Sequence, residues 1–314
     1  MSEGWALVTG GAGFIGSHIV RALLARGQRV RVLDDFSTGK PENLAGLRTE
    51  RLEVVEDDLR DPEALRKALQ GVEVVFHQAA FVSVPASMEA PLDCHAVNAT
   101  GTMQLLESAR QAGVQKVVLA SSAAVYGDAQ AFPLQEYLSP RPLSPYAATK
   151  AVDELYARLY TAAYGLPVVA LRYFNVYGPR QRPDSPYAAA IPIFARRMLN
   201  GEPPVVYGDG SQRRDFIFVE DVVEANLLAA ATAEAAGQVF NICTGREVSL
   251  MELIATLQEL IPEAPDPVFA PPRPGDIYRS VGDPTRAKEI LGFQARTSLQ
   301  EGLAQVVAWM RHHA

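Results

Sequence analysis

Cysteine is nearly missing from this chain of 314 residues: Cys94 and Cys243 stand far apart and outside any C-x-x-C spacing. Such a pair suggests neither a disulfide framework nor a zinc site, so nothing calls for an oxidising compartment. The five histidines fall in no metal-ligand spacing, and no metal is expected. Lysine is confined to Lys40, Lys67, Lys116, Lys150 and Lys288, there is no basic run, and the net charge is −7. That balance argues against a nucleic-acid partner, because nothing is present to track a phosphate backbone. No apolar run approaches bilayer length, and the N-terminus enters its first strand too soon to leave room for a signal peptide. A cytoplasmic chain with no membrane partner is expected. Neither an internal repeat nor a low-complexity tail is present.

What the chain does have is a glycine-rich turn between a short apolar run and an amphipathic stretch. Trp5 to Thr9 read as a buried strand, Gly10-Gly11-Ala12-Gly13-Phe14-Ile15-Gly16 as the turn, and the residues to about Ala25 as a helix. Glycines there let backbone N–H groups approach a pyrophosphate at the positive end of the helix dipole. Two templates fit at once: Gly11, Gly13 and Gly16 give G-x-G-x-x-G, while Gly10, Gly13 and Gly16 give G-x-x-G-x-x-G. A second strand, Arg29 to Leu33, ends in Asp34-Asp35, about 20 residues beyond the glycines, where an adenosine ribose would offer its hydroxyls. A carboxylate accepts from ribose but repels a 2′-phosphate, and no arginine stands beside Asp34, so NAD is favoured over NADP.

Strands and helices then alternate. Leu52 to Glu56, Val72 to Gln78, Val117 to Ser121 and Val168 to Tyr173 are short β-branched runs, separated by helical patterns at Pro62 to Leu69, about Leu92 to Ala112, and Pro145 to Tyr164. The alternation predicts an α/β fold, a Rossmann-type doubly wound parallel sheet, with a smaller C-terminal substrate-binding lobe. Ligands on such sheets collect beyond the carboxyl ends of the strands, and Gly10, Asp34, Asp58, Ala79-Ala80, Ser121-Ser122 and Tyr173 all fall there.

Ser122, Tyr146 and Lys150 carry the chemistry. Four residues is one helical turn, so Lys150 shares a helix face with Tyr146, and a nearby cation favours a phenolate over a phenol. Tyr146 is the candidate acid/base.

From about Tyr177 the texture changes to Pro- and Arg-rich loops, with a helix near Ile191 to Leu199 and a strand near Pro204 to Tyr207. We expect residues 1–176 to form the dinucleotide-binding domain and 177–314 the substrate lobe, with 216–244 returning to the first. Phe216 to Ala231 and Val239 to Ile242 have the apolar pattern of a buried return. Ser249 with Glu252, and Ser298 with Glu301, have capping-box spacing, and Asp283-Pro284 reads as an N-cap with proline at the first helical position.

Taken together, Thr9 to Gly16, Asp34, Asp57-Asp58-Leu59, His77-Gln78-Ala79-Ala80, Asn98, Ser121 to Gly127, Tyr146 to Lys150 and Arg172 to Pro179 resemble the extended short-chain dehydrogenase/reductase family, over nearly the whole chain. Ser-Ser-Ala-Ala-Val-Tyr-Gly at 121–127, Arg-Tyr-Phe-Asn at 172–175, Arg214-Asp215-Phe216 and Arg273-Pro274-Gly275-Asp276 look most like its UDP-hexose 4-epimerase branch. The resemblance implies a cofactor set of Gly10, Gly13, Phe14, Ile15, Gly16, Asp34, Asp35, Ser37, Gly39, Asp58, Leu59, Gln78, Ala79, Ala80, Asn98, Ser121, Tyr146, Lys150 and Tyr173. Within it, the three glycines would take the NAD pyrophosphate, Asp34 the adenosine ribose, Asp58-Leu59 the adenine, and Lys150 the nicotinamide ribose. Ser83, Ser122, Tyr146, Asn175, Tyr207, Arg214, Arg273, Asp276 and Ser280 would hold a UDP-sugar, the arginines by paired hydrogen bonds to phosphate.

The implied activity is NAD-dependent inversion at C4 of a UDP-hexose through a transient 4-keto sugar. Relatives that dehydrate or decarboxylate carry an acidic residue after the catalytic Ser or Thr, where this chain has Ala123-Ala124, so a dehydratase or net oxidoreductase is the alternative reading. A binding protein without activity would have no use for the Ser-Tyr-Lys set. Ser280 aligns with a pocket wall that is small in family members accepting N-acetylated sugars, so the UDP-GlcNAc/UDP-GalNAc pair is expected beside UDP-glucose/UDP-galactose. A homodimer is implied as well, through the helices near Leu92 to Ala112 and Pro145 to Tyr164.

Overall fold

Runs of aliphatic residues such as Val168–Tyr173, every one of them buried, have no polar face to show to water and need cover on both sides. A computed structural model, which describes residues 4–47, 50–183, 189–272 and 277–313, shows how they find it. Strands β1 (Trp5–Thr9), β2 (Arg29–Asp34), β3 (Leu52–Glu56), β4 (Val72–His77), β5 (Lys116–Ser122) and β6 (Val168–Tyr173) join the later strand Val239–Ile242 in one seven-stranded sheet. The order is Val239–Ile242, β6, β5, β4, β1, β2, β3, with every pairing parallel. This is the Rossmann-type doubly wound α/β fold, and the order reverses between β1 and β4, where such sheets open a crevice.

Each face has its own core. On one, Ile19 and Val20 of helix α1 (Phe14–Ala25) meet Val222, Ala225 and Leu227 of the helix Val219–Ala231 across Val8, Val32 and Phe240. On the other, Leu65, Leu105, Leu106 and Ala157 cover Leu7, Val75 and Val117. All but Leu227 are at most 1% exposed, and truncating one of the large ones to alanine costs about 2–5 kcal/mol. A third core, built on Phe194, Met198, Leu253, Leu257, Leu303 and Val306, belongs to the helices after residue 189.

Charge is buried under the carboxyl end of the sheet. Arg172 of β6 donates from Nε and Nη2 to the two carboxylate oxygens of Glu154 at 2.8 and 2.7 Å, and its guanidinium lies 4.6 Å over the Tyr126 ring. Ser121 of β5 donates to the same carboxylate at 2.6 Å. Losing one partner would strand a buried ion, at about 3–5 kcal/mol. The pair therefore fixes the long helix Pro145–Tyr164 against the ends of β5 and β6.

Expected and observed elements agree to within a residue or two, with one informative exception. The single helix expected at about Leu92 to Ala112 is three pieces, Pro91–His95, a π-helical turn Ala96–Thr100 and Gly101–Gln111. The wide turn carries Asn98 out to the loop after β4 and to Thr149, and these contacts outweigh regular i→i+4 bonding. Both capping boxes form, and Asp283 accepts the Thr285 N–H at 2.9 Å. Beyond the main sheet, Asn175–Tyr177 pairs with Phe216–Phe218, Val205–Tyr207 with Val268–Ala270, and Arg213–Arg214 lies between Val248–Ser249 and Arg279–Ser280.

Candidate active site

The crevice starts where β1 gives way to α1. Gly10 sits at φ +65°, and a Cβ there would lie 2.7 Å from the Ala79 backbone nitrogen, so the loop ends of β1 and β4 can touch only because no side chain intervenes. A Cβ on Gly16 would fall 2.1 Å from Gly10 O, which seats the helix directly on the turn. Gly13, the N-cap of α1, has only Gly10 O near its missing Cβ, so its outer side is open to an approaching ligand. Gly10 thus makes the turn, Gly16 seats the helix and Gly13 stays open between them, the spacing of the second of the two overlapping templates. Gly11 is packed against Val32 instead.

Asp34, at the end of β2, braces this turn. Its Oδ2 accepts the Ala12 N–H at 2.8 Å and its Oδ1 the Phe36 N–H at 2.9 Å, while burial pushes the carboxyl pKa up and the two N–H groups hold it down. Each oxygen keeps a lone pair for a further donor. Gly39 lies against the same carboxylate, at 2.7 Å from where its Cβ would be. The Asp35 carboxylate is occupied by the Ser37 N–H and hydroxyl at 2.9 and 2.6 Å. Asp58 is forked by Arg60 at 2.5–3.1 Å, which holds its carboxyl below the usual range, and Leu59 is buried beside it.

At the end of β4, Ala79 donates to Thr9 Oγ1 at 3.3 Å, and Thr9 also shares a hydrogen bond with His77 Nδ1 at 2.7 Å. His77 Nε2 reaches Thr102 Oγ1 at 3.0 Å, and burial followed by the Lys150 charge lowers the imidazole pKa to about 3, so it is neutral. Gln78 and Tyr173 share a cluster with Asn226: Gln78 Nε2 donates to the phenol at 3.1 Å and Asn226 Nδ2 at 2.8 Å, and burial pushes the phenol up. Asn98 accepts the Phe81 N–H at 2.7 Å and donates to Phe81 O and Thr149 Oγ1, so its amide braces the loop carrying Ala79-Ala80. Ser121 has its hydroxyl engaged likewise: adjacent strand residues face opposite ways, and it donates to Glu154.

Ser122 points the other way. Its Oγ accepts the Ala124 N–H at 3.1 Å, capping the short helix Ala123–Tyr126, and its own proton is left for an incoming oxygen. Tyr146 opens the long helix, one residue beyond Pro145 at the first helical position, with the Ser144 hydroxyl capping Ala147. Its backbone N–H is held by the buried Ser87 hydroxyl at 3.2 Å. Lys150 is 2% exposed, and its ammonium donates to Asp153 at 3.2 Å.

Across the crevice, Ser83 caps the helix Val84–Glu89 through Ala86 N at 3.1 Å. Asn175 is exposed, its N–H tied to Asp215 O. Ser280 and Arg214 are paired residues of neighbouring parallel strands and so share a face, and Arg214 Nη1 donates to the carbonyls of Arg213 and Tyr278 at 3.0 and 3.2 Å. Tyr207 lines an open cleft of about 800 Å³ together with Gln212, Phe269 and Tyr278. Arg273 and Asp276 lie outside the described residues. Sequence reasoning missed Ser87, Asn226, Asp153, Glu154 and the Phe269–Tyr278 wall. An asparagine inside the apolar run Val222 to Ala231, and carboxylates on the buried face set by Tyr146, Lys150 and Ala157, were the available signals.

Among the described residues no group of three His, Cys, Asp or Glu side chains could hold a metal ion, and no helix is long and apolar enough to cross a membrane.

The fold and this crevice define a dinucleotide-binding α/β enzyme. Residues 6–243 match the NAD dependent epimerase/dehydratase family, and the chain belongs to that family, whose cofactor is NAD. It is 43% identical over 309 residues to a UDP-glucose 4-epimerase of Mycolicibacterium smegmatis, with 98% of each chain covered. Its fold superposes with a TM-score of 0.96, at 40% identity and full coverage of both chains, on a UDP-N-acetylglucosamine 4-epimerase from Methanobrevibacter ruminantium in complex with UDP-N-acetylmuramic acid. The Thermus thermophilus UDP-glucose 4-epimerase in complex with NAD gives a TM-score of 0.90 at 42% identity, covering 99% of this chain and 100% of that one.

Neutral His77 has a consequence for stability. Its folded pKa of about 3 lies below the ordinary histidine value of 6.5, so the unfolded chain binds the proton first; the stabilisation is complete above pH 6.5 and is lost as pH falls toward 3. The loss reaches about 2 kcal/mol at pH 5. Asp153, raised to about 6 by burial, works in the opposite sense, so the effect is read as a difference. His77→Gln, which cannot titrate but can span Thr9 and Thr102, should flatten the fall in stability between pH 7 and pH 5 by about 2 kcal/mol in denaturant melts. An unchanged slope would mean that the imidazole is protonated in place.

Proposed function

We propose that this enzyme inverts C4 of a UDP-hexose, with Tyr146 as acid/base, Ser122 as the group that steadies the C4 oxygen, and the later lobe as a clamp on the nucleotide. Residues 1–176 with 216–244 would form the cofactor lobe and the rest the clamp. The observation that supports the reading is that Ser122, at the carboxyl end of β5, leads into a short helix packed against the one that carries Tyr146 and Lys150, with apolar Ala123-Ala124 where proton abstraction from carbon would need a carboxyl group.

The residues present fit NAD. The open side of Gly13 and the N-terminus of α1 suit its pyrophosphate, the remaining Asp34 lone pairs its adenosine ribose, and the Lys150 ammonium its nicotinamide ribose. Bound NAD supplies a reversible hydride acceptor. Tyr146 takes the C4 hydroxyl proton as the carbinol becomes a ketone, and the Ser122 hydroxyl donates to the oxygen that stays behind. The nucleotide stays held while the sugar turns its other face, and Tyr146 returns the proton. Net redox change is zero. For the clamp, Tyr207, Phe269 and Tyr278 offer aromatic faces to a base, and Arg214 offers charge to a diphosphate.

The sugar is assigned as either a plain or an N-acetylated hexose. Ser280 is a small, half-buried residue on the face shared with Arg214, which leaves room for a C2 substituent, and the archaeal relative's name supports the larger sugar. A homodimer is proposed as well: Leu92 of Pro91–His95 is 82% exposed, and Leu155 and Leu159, one turn apart on Pro145–Tyr164, are 63% and 47% exposed, apolar side chains that a partner copy would cover.

Three outcomes test these assignments. Tyr146→Phe should keep NAD by mass spectrometry but lose about 10²–10⁴-fold in C4 interconversion of UDP-glucose and UDP-galactose. Full activity would remove Tyr146 as the base, and accumulation of NADH or a stable keto sugar in the wild type would favour the oxidoreductase or dehydratase alternative. Ser280→Tyr should abolish turnover of the UDP-N-acetyl pair and spare the plain pair; equal loss of both would detach Ser280 from sugar choice. Leu155→Glu with Leu159→Glu should halve the mass measured by light scattering, whereas an unchanged mass would place any interface elsewhere.

A further inference from the structure

The long helix carries a third polar group in line with the tyrosine and lysine. Tyr146, Lys150 and Asp153 occupy successive turns of one face, and the Asp153 carboxylate takes the Lys150 ammonium at 3.2 Å with the two side chains only 2% and 3% exposed. Asp153 Oδ1 is buried with no hydrogen bond of ordinary geometry, the Thr102 hydroxyl alone lying near enough to favour the carboxylate. A dry ion pair gains little over apolar packing of the same shape, and an unmatched carboxylate oxygen is a further cost, so the pair is poorly explained by stability.

We propose that Asp153 is a positioning residue for the acid/base pair: it draws the Lys150 ammonium along the helix away from Tyr146 and partly cancels the field that the ammonium casts on the phenol. The inference rests on the reading of Tyr146 as the acid/base. The surroundings isolate the effect. On the same helix, Glu154 is neutralised by Arg172 of β6. From β4, His77 is neutral. From Pro91–His95, the Cys94 thiol is pushed up by burial and carries no charge near neutral pH. From Gly101–Gln111, Thr102 brings only a hydroxyl, close enough to favour the carboxylate. The acid limb of turnover is thus set by three groups in a row, phenol, ammonium and carboxylate, with the carboxylate seven residues, or about 10 Å of helix, from the tyrosine. At that range a single charge moves a titration by about one pH unit.

The test compares wild type with Asp153→Asn and Asp153→Ala. Two readouts are taken: the pH profile of UDP-hexose epimerisation, and the near-ultraviolet phenolate absorbance of the protein with and without added NAD, each corrected by its Tyr146→Phe counterpart. In both variants the acid limb and the absorbance rise should move together to lower pH by about one unit. Unmoved titrations with a lowered melting temperature would make Asp153 a packing residue, and a move to higher pH would make it the group that keeps Lys150 protonated; either result overturns the proposal. Wild-type protein with labelled tyrosine needs no substitution: the Tyr146 ring resonance should step as Asp153, raised to about 6 by burial, titrates, and a flat resonance overturns the proposal. If the wild type interconverts no UDP-hexose, the proposed function falls, while absorbance and resonance still decide the role of Asp153.

Discussion

Where β1 ends, the chain has to turn in a space that leaves no room for a side chain. The approach of Gly10 to Ala79 lets two strand ends that are neighbours in space but not in sequence close over one crevice. Thr9 and His77, the last residues of β1 and β4, secure that contact from below through their own hydrogen bond and through Thr102. The helix dipole of α1, the carboxylate of Asp34 and the loop of Ala79 are aimed at the same volume only because this approach is short.

A second layer lies beneath. The carboxyl ends of β5 and β6 and the long helix are joined by Ser121, Glu154 and Arg172, all nearly fully buried. Because strand residues alternate, Ser121 belongs to this foundation and Ser122 to the crevice, and one dipeptide thereby connects the site to its support. A serine on such a mount is held by the sheet itself, which suits the part proposed for it in a reaction whose reacting atoms must be placed to within a few tenths of an ångström.

The parallel sheet was legible in the sequence because each strand is a short β-branched run and each helix carries a 3.6-residue pattern, both local properties. The glycine turn was legible as a turn, but the choice between its two templates was not, since it depends on which Cβ would strike a strand that arrives 69 residues later at Ala79. Asn98 and Ser121 were assigned to the cofactor on resemblance alone, and both turn out to spend their side chains on bracing, a matter of tertiary contact. The π-helical turn at Ala96–Thr100 has no sequence signature, being the compromise through which Asn98 reaches its partners. Asp153 and Glu154 could have been noticed by face periodicity, yet acidic residues in a helix ordinarily read as a solvated edge.

The bracing of the glycine turn by Asp34 links two properties that are usually considered apart. The carboxylate assigned to the coenzyme ribose is also the acceptor for the N–H groups of Ala12 and Phe36. On that assignment coenzyme preference and the shape of the glycine turn would be inherited together, and a lineage drifting toward a phosphorylated coenzyme would first have to find those two amides another acceptor.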